Sequence, residues 1–196
     1  MKLGGVNIFL VGMMGAGKST IGKLLAPKLG YRFVDTDDLI TAWAGESIPN
    51  IFAKYGEAHF RSLETKVLAE VSCHSRLVAA TGGGIVMSNQ NWSYLHHGVV
   101  VWLDVPLEEL WQRLSHSNQP RPLLQNPQPL KTLENLLAQR HDRYAQADIR
   151  IAVKGETNVV VEQVMSALTD RLKPASQYPA DNTSPQTESD RLPHIP

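Results

Sequence analysis

The stretch "VNIFLVGMMGAGKST", residues 6–20, leads from an apolar run through a glycine-rich turn into the helical pattern "IGKLLAPKL". An apolar, β-branched run such as 6–11 reads as a strand buried on both faces, as in a parallel sheet. Residues 12–19 satisfy G-x-x-x-x-G-K-[ST], in the place where that pattern works, between a strand and a helix. Gly15, Ala16 and Gly17 let backbone N–H groups curl around phosphate oxygens. The helix N-terminus, entered at Lys18, Ser19 and Thr20, adds partial positive charge. Lys18 is placed to reach the β- and γ-phosphates, and the Ser19 hydroxyl to ligate Mg²⁺. The motif implies nucleotide binding and leaves the phosphate acceptor open.

Moving outward, a second strand "YRFV" (31–34) runs into Asp35, Thr36, Asp37 and Asp38. Three carboxylates this close repel one another, so the crowding needs a reason. In an extended segment alternate residues share a face, which groups Asp35 with Asp37. Asp35 then suits the Mg²⁺ shell, and Asp37 suits taking a proton from an acceptor hydroxyl. Helix capping is the competing use and is assigned first to Asp38.

Two further features point to a small anionic acceptor. "ATGGGIV" (80–86) places Gly82, Gly83 and Gly84 after a strand, where they allow close approach to the backbone. Arg61 and Arg140 lie in helical patterns, and Arg121 lies in a proline-rich loop. A planar guanidinium holds a carboxylate bidentately, and a loop arginine can close over phosphates.

The remaining strands are expected at 76–80, 98–105 and 149–153, alternating with helices within 37–73 and at about 106–114, 132–145 and 158–172. Such alternation argues for an α/β fold with a parallel sheet. Residues 115–130 carry four prolines and read as a loop. One domain is expected over 1–173, followed by a disordered tail over 174–196, rich in Pro, Ser, Thr, Asp and Gln. Nineteen basic and nineteen acidic residues balance in the 196-residue chain, which argues against a nucleic-acid binder driven by bulk charge. The single cysteine, Cys73, permits no intrachain disulfide. No apolar run reaches the ~20 residues of a membrane span and no signal-peptide pattern opens the chain, so a cytoplasmic protein is expected, with no membrane partner.

"GMMGAGKSTIGKLLA", "FVDTDDLI", "FRSLE", "TGGGIV", "RPLL" and R-x-x-x-Y (140–144) occur in the order found in shikimate kinases, which the chain resembles over about residues 6–170. The resemblance implies ATP-dependent phosphorylation of the shikimate 3-hydroxyl, in the route to chorismate and the aromatic amino acids. It implies a three-layer P-loop fold similar to nucleoside monophosphate kinases, with a five-stranded parallel sheet in order 2-3-1-4-5 and a mobile lid at about 115–130. It implies Asp35 and Ser19 for Mg²⁺, Asp37 as base and shikimate ligand, and Arg61 and Arg140 on the shikimate carboxylate. Gly83, flanked by Gly82 and Gly84, matches the substrate-contacting glycine, and Arg121 matches the lid arginine on the ATP phosphates beside Lys18. A monomer is the default. Two departures bear on adenine. The position seven residues before Arg121, arginine in many members, is Leu114 with Arg113 beside it, and the late segment "VKGETNVV" contains no arginine. A kinase of another small hydroxy acid, such as gluconate, is the alternative reading.

Overall fold

The structure is a computed structural model that describes residues 4–117 and 121–171. The expected tail, 174–196, lies outside the described residues, as do 118–120 of the expected lid. Five strands form one sheet in the order β2-β3-β1-β4-β5. They are β1 (Asn7–Val11), β2 (Arg32–Asp35), β3 (Leu77–Ala80), β4 (Gly98–Asp104) and β5 (Ile149–Ala152), and every pairing is parallel. The expected order and class are therefore those observed.

Burial of β1 on both faces explains its uninterrupted apolar run. Ile8 and Leu10 enter one core cluster, and Phe9 and Val11 enter the other. On β4, Val99, Val101 and Leu103 follow the first, and Val100 and Trp102 the second. Helices α1 (Lys18–Leu29), α6 (Pro129–Tyr144) and α7 (Thr157–Arg171) contribute Leu25, Leu133 and Val164 to the first cluster. Helices α2 (Thr36–Ala44), α3 (Ile48–Ser72) and α4 (Asn89–Leu95) contribute Ile40, Leu68 and Trp92 to the second. Two apolar clusters on opposite faces of one sheet make the three layers.

Three local readings need correction. Helix α2 starts at Thr36, and its N-cap is Asp35, whose Oδ1 accepts from the Asp37 N–H at 3.0 Å; Asp38 sits in the first turn. The stretch 115–130 is not loop throughout. Helix α5 (Leu107–Ser115) runs into it, a 3-10 turn occupies Pro122–Leu124, and α6 begins at Pro129. Proline at the first helical position sacrifices no hydrogen bond, so Pro129 opens a helix instead of marking a loop. Residues 85–95, unassigned from sequence, form a second 3-10 turn (Ile85–Met87) and α4. Among the described residues no helix is long and apolar enough to cross a membrane.

Candidate active site

Parallel strands deliver their following loops to one edge of the sheet, and the site is assembled there. Between β1 and α1 the chain turns through Gly12, whose φ of +143° favours glycine; a Cβ there would lie 2.6 Å from the Leu103 carbonyl oxygen. The loop lines a cleft of about 780 Å³ with Gly15, Ala16, Gly17, Lys18, Ser19 and Thr20. Asp35, Asp37, Gly82, Gly83, Arg113 and Arg121 face the same cleft, so the structure brings both aspartates and Arg121 to the phosphate loop.

Lys18 is buried, and its Nζ donates to the carbonyls of Gly12 at 2.8 Å and Met13 at 2.9 Å. Burial pulls its pKa down to about 8, while the charges of Asp37 and Asp35 act in the opposite direction. Asp37 is raised above the ordinary aspartate value, first by burial and then by the charge of Asp35, with Lys18 and Arg121 opposing. Its Oδ1 is buried and accepts no hydrogen bond among the described residues. The grouping of Asp35 with Asp37 holds, although not through strand alternation, because the backbone turns helical at Thr36. Ser19 Oγ donates to Asp35 Oδ2 at 2.5 Å. This pair of hard oxygen donors at the rim of the phosphate loop fits Mg²⁺, which completes its shell with phosphate oxygens and water and needs no larger carboxylate cluster.

The glycine run serves close packing. Thr36, fully buried, accepts the Gly82 N–H at 3.2 Å and so ties the run to the start of α2. A Cβ on Gly82 would strike Glu64 Oε1, and one on Gly84 would strike the Arg61 guanidinium. The Gly83 carbonyl accepts from the Tyr144 hydroxyl at 2.6 Å. Burial pushes that hydroxyl up to about 12, so it stays a donor.

These contacts define a second, smaller chamber of about 80 Å³ next to the cleft, sharing Asp37, Gly82, Gly83 and Arg121 with it and adding Arg61 and Arg140. Arg140 is 4 % exposed, and its Nη1 lies 3.7 Å from the Met13 sulfur. Among the described residues it makes no ion pair with a carboxylate. Arg61 is pinned from two sides, with Nε and Nη2 on Glu57 (3.2 and 2.8 Å) and Nη1 on Glu64 (2.5 Å).

Glu64 lines the chamber and was not singled out from the sequence. It is 1 % exposed, burial raises its pKa, and its Oε1 has no hydrogen-bond partner among the described residues. The available signal was its i+3 spacing from Arg61 within "FRSLE". Thr36 was missed as well. Leu114 packs against the Gly15 position, and Arg113 donates to the Gly15 carbonyl at 3.2 Å.

A shikimate kinase family model matches residues 14–173. A shikimate kinase of Synechococcus elongatus is 54 % identical over 182 residues, covering 91 % of this chain and 95 % of the relative. The chain belongs to the shikimate kinase family. A family member from Thermosynechococcus vestitus is 55 % identical over 176 residues, with 88 % of this chain and 95 % of the relative covered. Among solved structures, shikimate kinase from Acinetobacter baumannii in complex with shikimate superposes with a TM-score of 0.81 at 40 % identity, covering 86 % of this chain and 96 % of that one. A gluconokinase from Sinorhizobium meliloti reaches a TM-score of 0.58 at 15 % identity, a likeness of fold alone. Shikimate kinases thus share this sheet order, and the gluconate alternative retains only distant support.

Proposed function

We infer that the protein transfers the γ-phosphoryl group of ATP to the 3-hydroxyl of shikimate, giving shikimate 3-phosphate and ADP. The observation that carries this reading is the chamber beside the phosphate loop. Arg140 is buried there and, among the described residues, makes no ion pair with a carboxylate, and Arg61 and Asp37 line the same space. The charge of Glu64 acts on Arg140 without direct contact, and an acceptor carboxylate in contact with the guanidinium relieves more of the cost of its burial. The A. baumannii relative was solved with shikimate, an acid with ring hydroxyls, which suits two arginines at one end and a carboxylate base at the other.

The steps follow from the residues. Backbone N–H groups of 15–20 hold the ATP phosphates, and Lys18 exchanges its two carbonyl partners for phosphate oxygens. Arg61 and Arg140 hold the acceptor carboxylate, and Gly83 permits close approach. Asp37 takes the proton of the acceptor hydroxyl as its oxygen bonds to the γ-phosphorus and the β–γ bridging bond breaks. Its raised pKa suits that task. Arg121, which lines both spaces, stabilises the charge of the transferring group. The segment around Arg121 is read as the lid. Ser19 and Asp35 would hold Mg²⁺, which would supply positive charge to offset that of the phosphates. Val153, Gly155 and Thr157, which line the far wall of the cleft, are assigned to the base side of the nucleotide.

ADP release from ATP and Mg²⁺ tests the reading, with shikimate, gluconate or no acceptor. Turnover with shikimate alone is expected. Turnover with gluconate alone, or equal rates without acceptor, overturns it.

A further inference from the structure

Three spaces adjoin in a row. The nucleotide cleft shares Asp37 and Arg121 with the inner chamber. The inner chamber shares Arg61, Gly84, Leu123 and Arg140 with a third space of about 770 Å³, between α3, α4 and α6. No described residue lines both this outer space and the nucleotide cleft. The acceptor chamber therefore has two neighbours, and only one of them is the nucleotide's.

Arg61 forms the partition. Glu57, which holds its Nε and Nη2, lines the outer space alone, and Glu64, which holds its Nη1, lines the inner chamber alone. One edge of the guanidinium thus already carries a carboxylate on the outer side, and that carboxylate belongs to a half-exposed side chain free to swing away. The outer wall also carries Lys66, which is exposed, and one side of Arg140. Arg61, Lys66 and Arg140 outnumber Glu57 and the inner Glu64, which leaves the space attractive to an anion.

We propose that this outer space is the vestibule through which the acceptor enters and its phosphorylated product leaves, and that it captures the acceptor's carboxylate, which replaces Glu57 on Arg61 before passing inward. The ligand class is a small hydroxylated carboxylate. The proposal rests on the function inferred above. Its consequence is that acceptor and product exchange at one end of the passage while nucleotide occupies the other.

Two variants in the intact chain test it, both at positions outside the catalytic machinery. Ser62→Trp fills the vestibule from α3, and Lys66→Glu reverses its exposed charge. Steady-state kinetics with shikimate and ATP are measured for both, together with the affinity for a fluorescent ADP analogue. Ser62→Trp is expected to lower kcat/KM for shikimate several-fold, with the ADP analogue bound as in the wild type. Lys66→Glu is expected to lower it roughly tenfold at low salt, the lower end of electrostatic steering, and the deficit is expected to shrink as ionic strength rises. If both folded variants keep the wild-type kcat/KM for shikimate, the proposal is overturned. Equal losses for the ADP analogue overturn it as well, since the two ends are then not separate. A wild-type protein that does not turn over shikimate instead overturns the function on which the proposal rests.

Discussion

The Ser19 hydroxyl donates to Asp35 Oδ2 at 2.5 Å, which joins the phosphate loop to the end of β2. The other oxygen of Asp35 caps α2 through the Asp37 N–H. One carboxylate therefore orients the Ser19 hydroxyl and fixes the backbone two residues on. Asp37, by contrast, has a buried Oδ1 with no hydrogen-bond partner among the described residues, and it borders both the cleft and the smaller chamber.

Lys18→Ala is expected to remove most turnover while the protein stays folded. Lys18 brings a buried positive charge to phosphates whose own charge shifts during transfer. The loss in kcat is expected to reach roughly a hundredfold or more. Near-normal kcat in a folded variant contradicts the phosphate-loop assignment.

Arg61→Lys and Arg140→Lys are each expected to raise KM for shikimate far more than KM for ATP. Lysine keeps the charge and loses the planar fork. Arg140 is expected to be the more sensitive position, since it is buried beside Met13 and makes no ion pair with a carboxylate among the described residues. A rise confined to the KM for ATP contradicts the carboxylate assignment.

Gly84→Ala and Gly12→Ala are expected to diverge. The new methyl at Gly84 meets the end of the Arg61 side chain, which can shift within its pairs with Glu57 and Glu64 more readily than backbone can. That variant is expected to keep its Tm and to bind shikimate less well. At Gly12 the methyl meets the backbone carbonyl of Leu103, and φ is +143°, so both contact and conformation are strained. That variant is expected to lose Tm. Differential scanning calorimetry with shikimate titration separates the two, and a large Tm loss for Gly84→Ala contradicts the packing described.

The pH profile of kcat/KM for ATP reports the free enzyme. Lys18 must be charged to hold phosphate, and its pKa is lowered to about 8, so activity is expected to fall as pH rises through that value. Asp37 must be ionised to accept a proton, and its pKa is raised, so the acid limb is expected above the ordinary aspartate range. Asp37→Asn is expected to remove the acid limb from the residual activity. An acid limb that persists unchanged in Asp37→Asn assigns it to another group.

The strand pattern and the phosphate loop were legible because they rest on short-range rules: apolar runs for buried strands, and glycines with Lys18 and Ser19 at fixed spacing. The capping role of Asp35 was not, because strand alternation was carried one residue past the point where the backbone turns helical. Glu64 was hidden for a different reason. A carboxylate three residues from an arginine on a helix usually marks a solvated pair, and only the fold buries this one beneath Gly82. The glycine run was read as space for a ligand. It also makes room for Glu64 and Arg61, a packing relation between distant segments that no local pattern carries.

The division of labour between two neighbouring aspartates is the central claim, and a Mg²⁺ titration of Asp35→Asn and Asp37→Asn at saturating ATP and shikimate tests it most directly. Asp35→Asn is expected to need more Mg²⁺ and to recover part of its rate in excess metal. Asp37→Asn is nearly isosteric and lacks the base, so it is expected to lose roughly a hundredfold or more in kcat at every Mg²⁺ concentration. Rescue of Asp37→Asn by excess Mg²⁺, with none for Asp35→Asn, contradicts the account.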